Sequence, residues 1–331
     1  MLFRSNGRVV FINNQFVPEV DARVSIYDSA LMFGDMVFEM TRTFNGKQFK
    51  LKEHLERLYQ SIKIVQIPIT LTLSEMEEKV YETMEANKQA FNNDDEHRIM
   101  INVSRGLLSI YEEVVGIAPG PQIIIADFPL RWTVTGMGEL FNTGIGMVIP
   151  SQRAIPGHLL DPKIKNRSRI HYMMANLEAS QFKGNNWALL LDTDGYIAEG
   201  TGDNFFIIKN NVILTPEPRN ILRGISRAYI FELAEQLGLE YRECNLEPYD
   251  VYEADEAFIT GTPFCLLPVT QLNNREIGTG KPGPITHQLL SKWGENTNVD
   301  IVSQIQDWNA RENKDKPKVS PYSFNRSEEH T

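Results

Sequence analysis

Several features that point to particular classes of protein are scarce in this sequence. Only two cysteines occur, Cys244 and Cys265, and neither belongs to a CxxC motif or a Cys/His cluster. We therefore expect no metal site and no disulfide, and we predict that both thiols are buried and free. No stretch approaches the roughly 20 apolar residues needed to span a bilayer, and the N-terminus lacks the apolar segment of a signal peptide. These absences predict a cytoplasmic protein.

Positive charge is also scarce. Lysine and arginine together number 33 against 43 aspartates and glutamates, which gives a net charge of −10, and no dense basic block occurs. Because nucleic acids and anionic membranes are bound largely through basic surfaces, neither is expected as a partner. The 331 residues are enough for about two domains, which can bury substantial cores and enclose a small-molecule site.

The chain begins with recognisable strand and helix patterns. Asn13-Asn14 lies between two short apolar runs and predicts a two-residue hairpin turn. Apolar residues at spacings of three and four predict a helix over residues 55–65. Ser74 with Glu77 is interpreted as the capping box of a second helix, because this pairing satisfies the first amide groups of a helix.

Two apolar runs then predict the buried strands of a first domain. They cover residues 99–103 and 122–126, so we predict a small N-terminal α/β domain over residues 1–130. Residues 131–142 lose apolar periodicity and contain two glycines, which predicts an interdomain linker.

Residues 143–293 are predicted to form the larger second domain. Apolar runs separated by the turns Asp194-Gly195 and Asn210-Asn211 predict an antiparallel sheet. Residues 294–331 are polar and are predicted to be a loosely ordered extension. Two helices are predicted to pack on the sheet, over residues 225–237 and 285–293. The fold class is therefore predicted to be α+β with two domains.

The most informative stretch is residues 196–206, which places a lone carboxylate, Glu199, at the end of a strand and before a second apolar strand. Upstream lies Lys165, and downstream residues 222–227 open an amphipathic helix, while residues 260–262 end an apolar strand. An amine, a glutamate and two phosphate-sized nests are what a pyridoxal phosphate (PLP) site requires. Taken singly, the lysine and the glutamate also fit ordinary surface charges.

These segments resemble the class IV aminotransferases, PLP enzymes of fold type IV that include branched-chain and D-amino-acid aminotransferases. The resemblance extends from about Val10 to about Leu290, and its strongest motif is Glu-Gly-x-x-x-Asn-x-Phe, which begins at Glu199 and ends at Phe206. It implies a small N-terminal domain, a larger domain with an antiparallel sheet or barrel, PLP as cofactor, and a homodimer. Residues 30–33 and 106–111 are the apolar loops expected at the subunit interface or in a lid.

The resemblance implies that Lys165 is the catalytic lysine. The number of residues between Lys165 and a helix carrying Glu178-Ala179 fits the family. Lys163 is the alternative candidate for the catalytic lysine, because it is expected on the same strand face. Glu199 is implied to keep the pyridine nitrogen protonated, which makes the ring an electron sink. The lysine itself is implied to move the proton during the reaction, so no histidine base is required.

The cofactor phosphate is expected at a helix start, with one arginine nearby. A plain helix N-terminus is the local alternative for the helix start. For the arginine, Arg57, the local alternative is a solvated charge paired with Glu53 or Glu56, and His54 is interpreted as structural. The residues implied to bind the phosphate are Gly224, Ile225, Ser226, Thr262 and Arg57.

Substrate recognition is implied at two positions. Arg98 matches the arginine that approaches the substrate carboxylate in branched-chain enzymes, and Phe38 matches an aromatic wall of their pocket; a surface cation is the local alternative for Arg98. Residues 105–113 lack the Arg-x-His pair of the D-amino-acid enzymes, which argues against a D-amino-acid substrate.

Three departures from the branched-chain pattern keep other substrates open. Pro263 has no N–H to offer a substrate carboxylate, residues 166–169 lack the tyrosine that commonly follows the lysine, and Met40 replaces a glycine. We expect a transaminase with a hydrophobic amino donor and a 2-oxo acid acceptor such as 2-oxoglutarate or pyruvate. The alternatives are an (R)-selective amine or D-amino-acid transaminase, an aminodeoxychorismate-type lyase, and a catalytically silent dimeric relative.

Overall fold

The computed structural model describes residues 7–111 and 120–311, which separate into two compact units. Unit 1 contains the described residues up to Trp132 together with Ile164–Arg169, and unit 2 contains Thr133–Lys163 and the residues from Ile170 onward. The chain therefore enters unit 2, returns to unit 1 for one short segment, and enters unit 2 again. This return was not predicted from the sequence.

Unit 1 is a six-stranded antiparallel sheet in the order β2-β1-β6-β5-β3-β4, with two long helices on one face. Its elements are β1 (Val9–Ile12), β2 (Gln15–Pro18), α1 (Ser29–Phe33), β3 (Met36–Phe44), β4 (Lys47–Gln48), α2 (Leu51–Val65), α3 (Leu73–Asn87), β5 (His97–Ser104) and β6 (Gln122–Pro129). Single 3₁₀ turns cover Glu19–Asp21, Lys88–Ala90 and Ser109–Tyr111.

The predicted hairpin is present, but the predicted capping box is wrong. Asn13 and Asn14 both have positive φ, at 45° and 67°, as a two-residue turn requires. Helix α3 is capped by Thr72, whose hydroxyl accepts from the Glu75 N–H while the Glu75 carboxylate accepts from the Thr72 N–H. The pairs Thr72–Glu75 and Ser74–Glu77 both have the spacing of a capping box. The helix begins after Thr72, because this start includes Leu73 in the helix and packs it against the core.

Strands β3 and β5 alternate between two faces. Val37, Ile99 and Ile101 point into the core, where they join Leu55 and Leu58 of α2. The opposite face, which we call the Phe38 face, is defined by three pairs in register: Phe38 with Asn102, Met40 with Met100, and Arg42 with Arg98.

The returning segment Ile164–Arg169 is attached to the start of β3. The Phe38 N–H donates to the Lys165 carbonyl at 2.9 Å, and the Arg167 N–H donates to the Met36 carbonyl at 2.9 Å. Asn166 forms a bridge with Val37 between these two bonds. The backbone around Lys165 is therefore fixed by unit 1, although the chain on both sides belongs to unit 2.

Unit 2 is built on a nine-stranded sheet in the order β12-β11-β10-β13-β14-β7-β8-β9, with β15 paired to β14. Its elements are α4 (Arg131–Val134, across the unit boundary), α5 (Leu140–Thr143), β7 (Ile145–Val148), α6 (Ile170–Ala179), β8 (Asn186–Leu191), β9 (Ile197–Gly200), β10 (Asn204–Lys209), β11 (Val212–Pro216), α7 (Ile225–Leu237), β12 (Tyr241–Cys244), α8 (Pro248–Tyr252), β13 (Glu256–Gly261), β14 (Cys265–Leu272), β15 (Arg275–Glu276), α9 (Pro284–Thr297) and α10 (Ile301–Arg311).

The sheet of unit 2 is mixed, so the prediction of an antiparallel sheet is wrong in part. Strand β7 is parallel to β8 and to β14, and β11 is parallel to β12. Parallel neighbours need a crossover connection, and helices α6 and α7 lie in the connections from β7 to β8 and from β11 to β12. Turn signals between neighbouring strands cannot reveal such pairs.

The segment predicted as a linker, residues 131–142, contains the boundary between the units but is not an irregular connection. It contains α4 and the start of α5, and it buries Val134, Met137, Leu140 and Phe141. These apolar residues lack regular helical spacing because they are divided between two short helices and the turn that joins them, so the pattern was missed.

The prediction of a loosely ordered extension is wrong for residues 294–311. Helix α9 continues to Thr297, and α10 buries Ile301, Ile305 and Trp308, which recur at helical spacing on one face of an otherwise polar segment. Residues 312–331 lie outside the described part of the chain. Within residues 7–111 and 120–311, no helix combines the length and the apolar character that crossing a membrane requires.

Both cysteines are free thiols, as predicted, but only one of them is fully buried. Cys265 begins β14 in the core of unit 2, whereas Cys244 ends β12 and is half-buried.

Candidate active site

Unit 1 contains a buried charge network between β3 and α2. Arg57 donates from Nε to one oxygen of Glu39 at 2.6 Å and from a terminal nitrogen to the other at 2.9 Å. Nδ1 of His54 lies 2.7 Å from Glu39, whose side chain is fully buried. Burial raises the pKa of Glu39, but the Arg57 charge and the His54 contacts outweigh it and hold the pKa well below its usual range. Burial is also the main reason that the pKa of His54 is lowered.

The contacts in this network show which interpretation of Arg57 and of His54 is correct. Arg57 is 9% exposed and pairs with the buried Glu39, so it is not a solvated helix charge. His54 is a buried partner of the same carboxylate, which agrees with a structural role. Contact of Arg57 with a cofactor phosphate stays a prediction.

Lys165 is half-buried in unit 1, and its Nζ lies 4.9 Å from the centroid of the Phe38 ring. Its backbone N–H donates to the Ser61 hydroxyl of α2 at 3.3 Å. The expectation that Lys163 shares a strand face with Lys165 is wrong, since neither residue lies in a strand. Lys163 belongs to unit 2, where its amine pairs with Asp161 at 2.8 Å.

The Phe38 face carries the residues predicted to contact substrate within unit 1. Phe38 is 2% exposed, and Arg98 is 9% exposed with a terminal nitrogen 3.5 Å from the Met40 sulfur. Arg98 is therefore not the surface cation of the local alternative. The predicted third residue, Pro263, lies in unit 2, in the turn between β13 and β14.

Unit 2 holds the Glu199 carboxylate through three neutral donors. The Tyr172 hydroxyl donates to one oxygen at 3.1 Å, while the Asn204 amide and the Leu222 N–H donate to the other at 3.1 Å and 2.9 Å. Glu199 is 5% exposed at the end of β9. The carboxylate is thus buried and oriented by three donors that carry no formal charge, and the positive charge of Arg227 also acts on it.

The motif that begins at Glu199 has a structural explanation in unit 2. Asn204 links the start of β10 to Glu199 and to the Leu222 carbonyl, and a Cβ at Gly224 would collide with its side-chain oxygen. Phe206 is fully buried and stacks on Phe258 with ring centroids 4.7 Å apart. The glycine before helix α7 therefore allows the asparagine to approach, and the phenylalanine belongs to the core.

The start of α7 is suited to an anion. Gly224 is the N-cap and has no side chain to cap the helix, so the amides of its first turn can serve an external acceptor. Ile225 and Ser226 form that turn, and Ser226 is 8% exposed. Thr262 follows the end of β13, where the buried Thr260 hydroxyl has no hydrogen-bond partner among the described residues.

Two residues of the site were missed in the sequence. Tyr172 is the third residue of α6 and does not directly follow Lys165, so a search of residues 166–169 did not find it. Arg167 stacks on Phe38 with its guanidinium carbon 3.6 Å from the ring centroid, and nothing in the linear pattern connects these two residues.

Comparison with known proteins places this geometry in a family. The family model described as amino-transferase class IV matches residues 36–272. The chain belongs to the class IV aminotransferases. This class IV aminotransferase is 37% identical over 285 residues to a putative branched-chain-amino-acid aminotransferase of Methanocaldococcus jannaschii, a match that covers 86% of this chain and 94% of the relative. It is 30% identical over 290 residues to the branched-chain-amino-acid aminotransferase of Escherichia coli K12, covering 85% and 90% of the two chains.

Solved structures agree with the sequence relatives. The crystal structure of the E. coli branched-chain amino acid aminotransferase superposes with a TM-score of 0.77 at 28% identity, covering 86% of this chain and 92% of that one. The branched-chain amino acid aminotransferase of Thermobaculum terrenum in its PLP form gives a TM-score of 0.76 at 25% identity, covering 92% and 97%.

These matches confirm the predicted family, the two-domain α+β fold of type IV, the transaminase activity and PLP as the cofactor. The roles of the individual site residues, the domain boundaries, the homodimer and the cytoplasmic location stay predictions.

Proposed function

We propose that this class IV aminotransferase moves the amino group of a hydrophobic, branched-chain-like amino acid to a 2-oxo acid, in two half-reactions of a ping-pong scheme. The observation that carries the proposal is the Glu199 carboxylate, which is buried and held by Tyr172, Asn204 and the Leu222 N–H. The branched-chain names of the M. jannaschii and E. coli relatives support this choice of donor.

Unit 2 contains residues that fit PLP. Glu199 would pair with the protonated pyridine nitrogen, because its donors hold the buried carboxylate in a fixed orientation. The first turn of α7 and Thr262 would take the phosphate, and the unsatisfied Thr260 hydroxyl adds a donor at the end of β13. When bound, PLP supplies an electron sink for the negative charge left on the substrate α-carbon.

Lys165 is the residue that would hold the cofactor covalently and move the proton. Its amine lies beside the buried Phe38 ring, and its backbone is fixed at both the N–H and the carbonyl. A fixed backbone limits the directions in which the amine can reach. Lys165 Nζ would take the proton from the substrate α-carbon and hold it for return during the transfer.

Substrate contacts are proposed on the Phe38 face and at the β13–β14 turn. Phe38 and Met40 offer apolar surface to a branched side chain, and Arg98 would bind the α-carboxylate. Pro263 cannot donate a hydrogen bond, so the turn contributes shape and not a donor at that position.

We propose a homodimer as the working form. Unit 1 exposes large apolar side chains in the two segments predicted at an interface, which form α1 and the 3₁₀ turn Ser109–Tyr111, namely Leu31, Met32, Phe33 and Ile110. In unit 2, helix α6 exposes Ile170, Met174 and Leu177 at helical spacing. Apolar side chains clustered in this way usually mark protein–protein contacts. Light scattering that finds an active monomer would contradict the dimer.

A panel of amino donors with 2-oxoglutarate as acceptor tests the donor class. We expect L-leucine, L-isoleucine and L-valine to react fastest, D-leucine to react slowly, and aminodeoxychorismate to release no pyruvate. Arg98→Ala should raise KM for leucine tenfold or more, which corresponds to ~1.4 kcal/mol of lost charge-assisted binding. If (R)-1-phenylethylamine reacts faster than any L-amino acid and Arg98→Ala leaves that rate unchanged, the enzyme is an amine transaminase.

A further inference from the structure

The segment that carries Lys165 is attached to unit 1 through its backbone. The Lys165 carbonyl and the Arg167 N–H each bond to β3 at 2.9 Å, and the Lys165 N–H bonds to the Ser61 hydroxyl. Every residue of this segment offers the same backbone groups, so these bonds do not determine which residue pairs with β3. A shift of one residue would turn the Lys165 side chain away from Phe38, because successive side chains of an extended segment point to opposite faces.

Three residues after Lys165, the Ser168 side chain lies against Gly34, which connects α1 to β3. The Ser168 hydroxyl lies 3.2 Å from the Gly34 carbonyl oxygen and 3.3 Å from the Phe33 carbonyl oxygen, so its one proton can bond to either. A Cβ at Gly34 would lie 2.5 Å from Ser168 Oγ and 3.2 Å from Ser168 Cα. The contact therefore combines a residue without a side chain and a residue with a short hydroxyl.

This Gly34–Ser168 contact distinguishes the observed pairing from its neighbours. Arg167 and Arg169 flank Ser168, so a shift of one residue in either direction would bring an arginine against Gly34. An arginine side chain is longer and cannot place a hydroxyl between the two carbonyls. The contact thus supplies the information about register that the backbone bonds lack.

Asn166 joins Ser168 to the backbone around Lys165. Its side-chain oxygen accepts from the Ser168 N–H at 2.9 Å, and its side-chain nitrogen donates to the Ile164 carbonyl at 3.0 Å. These two bonds enclose Lys165 in a short turn. A displacement of Ser168 is therefore passed on to the Lys165 backbone.

Gly34 is held from the other side. Its N–H donates to the Ala30 carbonyl at 2.9 Å, which ends α1, and its φ of 68° suits a glycine. The next residue, Asp35, accepts from Arg105 Nε at 2.6 Å, and a terminal nitrogen of Arg105 donates to the Val65 carbonyl at 2.8 Å. Gly34 therefore cannot readily move away from a bulkier neighbour.

We propose that the Gly34–Ser168 contact fixes the register of the segment that carries Lys165, so that Ser168 is a positioning residue for the lysine. This inference rests on the proposed function, in which Lys165 moves the proton. Proton transfer depends on where the amine lies, so a shifted segment should slow the reaction more than it weakens substrate binding.

Hydrogen exchange of the PLP-free protein tests the contact without any catalysis. In Gly34→Ala, the Phe38 and Arg167 N–H groups should exchange at least tenfold faster than in the wild type, because a displaced segment loses their bonds. Gly46→Ala is the matched control. The φ of Gly46 is 72° and a Cβ there meets nothing within 4 Å, so this variant has the backbone strain without the contact. It should change neither rate more than twofold.

Substitutions of Ser168 separate the contact from general damage. Ser168→Gly alone should speed exchange of the two amides about threefold, because the hydroxyl is lost. In the double variant Gly34→Ala/Ser168→Gly, exchange should be slower than in Gly34→Ala, because the new methyl group occupies the space of the missing Oγ. Ser168→Val keeps Gly34 and should speed exchange of the same amides, which tests the contact even if Gly34→Ala does not fold.

Equal exchange in Gly34→Ala and Gly46→Ala would overturn the inference. An absence of recovery in the double variant would also overturn it. If Gly34→Ala does not fold, wild-type exchange rates in Ser168→Val overturn it.

Kinetics of the PLP-loaded enzyme test the positioning role. Gly34→Ala should lower kcat for L-leucine at least tenfold and change KM less than threefold, while Gly46→Ala should match the wild type. Deuterium at the leucine α-carbon should slow Gly34→Ala more than the wild type, because proton transfer then limits turnover. A loss through KM with no larger isotope effect would contradict positioning. A wild type that transfers no amino group would instead overturn the proposed function, and the exchange experiment would still test the contact.

Discussion

Two buried glutamates, one in each unit, are held by different kinds of donor. Glu39 of unit 1 accepts two hydrogen bonds from the charged Arg57 and contacts His54, so its charge is compensated inside the fold. Glu199 of unit 2 accepts its hydrogen bonds from a phenol, an amide and a backbone N–H, and the positive charge of Arg227 acts on it electrostatically.

The difference separates a carboxylate that serves the fold from one that is suited to a ligand. A buried ion pair is strongly destabilised when one partner is removed, because the other is left as an uncompensated charge. A carboxylate fixed by neutral donors retains its attraction for a cation, such as a protonated pyridine nitrogen. Substitutions in the two units should therefore act on different measurable quantities.

The largest effect is expected at Lys165, the group that unit 1 is proposed to contribute to catalysis. Lys165→Ala should abolish transamination and leave the folded state intact, because a half-buried lysine contributes little packing. Borohydride reduction followed by peptide mapping should attach the cofactor of the wild type to Lys165. Lys163→Ala is the matched control and should remain active; label recovered on Lys163 would contradict the assignment.

The next largest effect is expected at Glu39, on stability. Glu39→Gln should lower the free energy of unfolding by about 3 kcal/mol or more, because the buried Arg57 would lose its ion pair with Glu39. Urea unfolding of both proteins at pH 7 measures the change. Glu75→Gln replaces an exposed capping carboxylate and serves as a control with a smaller expected loss.

The same carboxylate predicts a pH dependence. Because the pKa of Glu39 is lower in the folded protein than its ordinary value of 4.5, its contribution to stability is complete above that pH. The contribution decreases as the pH falls from 4.5 toward the folded pKa, since the unfolded chain then binds the proton more readily. The stability difference between wild type and Glu39→Gln should therefore shrink in acid. A difference that stays constant down to pH 3 would mean that another group dominates.

Substitution of Glu199 should affect catalysis more than stability, which is the reverse of the effect expected at Glu39. Glu199→Gln keeps the shape of the side chain but loses the charge that would hold the pyridine nitrogen protonated. We expect weaker PLP binding and a slowing of more than tenfold, at ~1.4 kcal/mol of barrier for each factor of ten. Cofactor titration and single-turnover rates measure these effects. Equal damage to stability in Glu199→Gln and Glu39→Gln would remove the distinction between the two carboxylates.

The local elements of this fold could be predicted from the sequence, whereas the pairings between distant segments could not. Helix α7 was predicted with its observed bounds, since its apolar spacing and the terminating Gly238 are local signals. The parallel pairs of unit 2 and the return of Ile164–Arg169 to unit 1 join residues far apart in sequence. Periodicity and turn chemistry carry no information about them.

The same limit applies to the site. Resemblance to a family pointed to Lys165 and Glu199, but the Arg57–Glu39 pair was not anticipated, because one strand of the sheet and one helix must pack before those residues meet. A local interpretation had paired Arg57 with its neighbours on the helix. Tyr172 was missed for a related reason, since a residue on α6 reaches Glu199 only once that helix packs on the sheet of unit 2.

The smallest predicted effect is at Tyr172, and it refines the comparison between the two carboxylates. Tyr172→Phe removes one of three neutral donors from Glu199 and keeps the ring, so the loss should be about 1 kcal/mol, or roughly fivefold in PLP affinity. Asn204→Ala should cost more, because Asn204 also donates to the Leu222 carbonyl before α7. Fluorescence titration with PLP measures both. An unchanged affinity in Tyr172→Phe would show that the Asn204 amide and the Leu222 N–H suffice to orient Glu199.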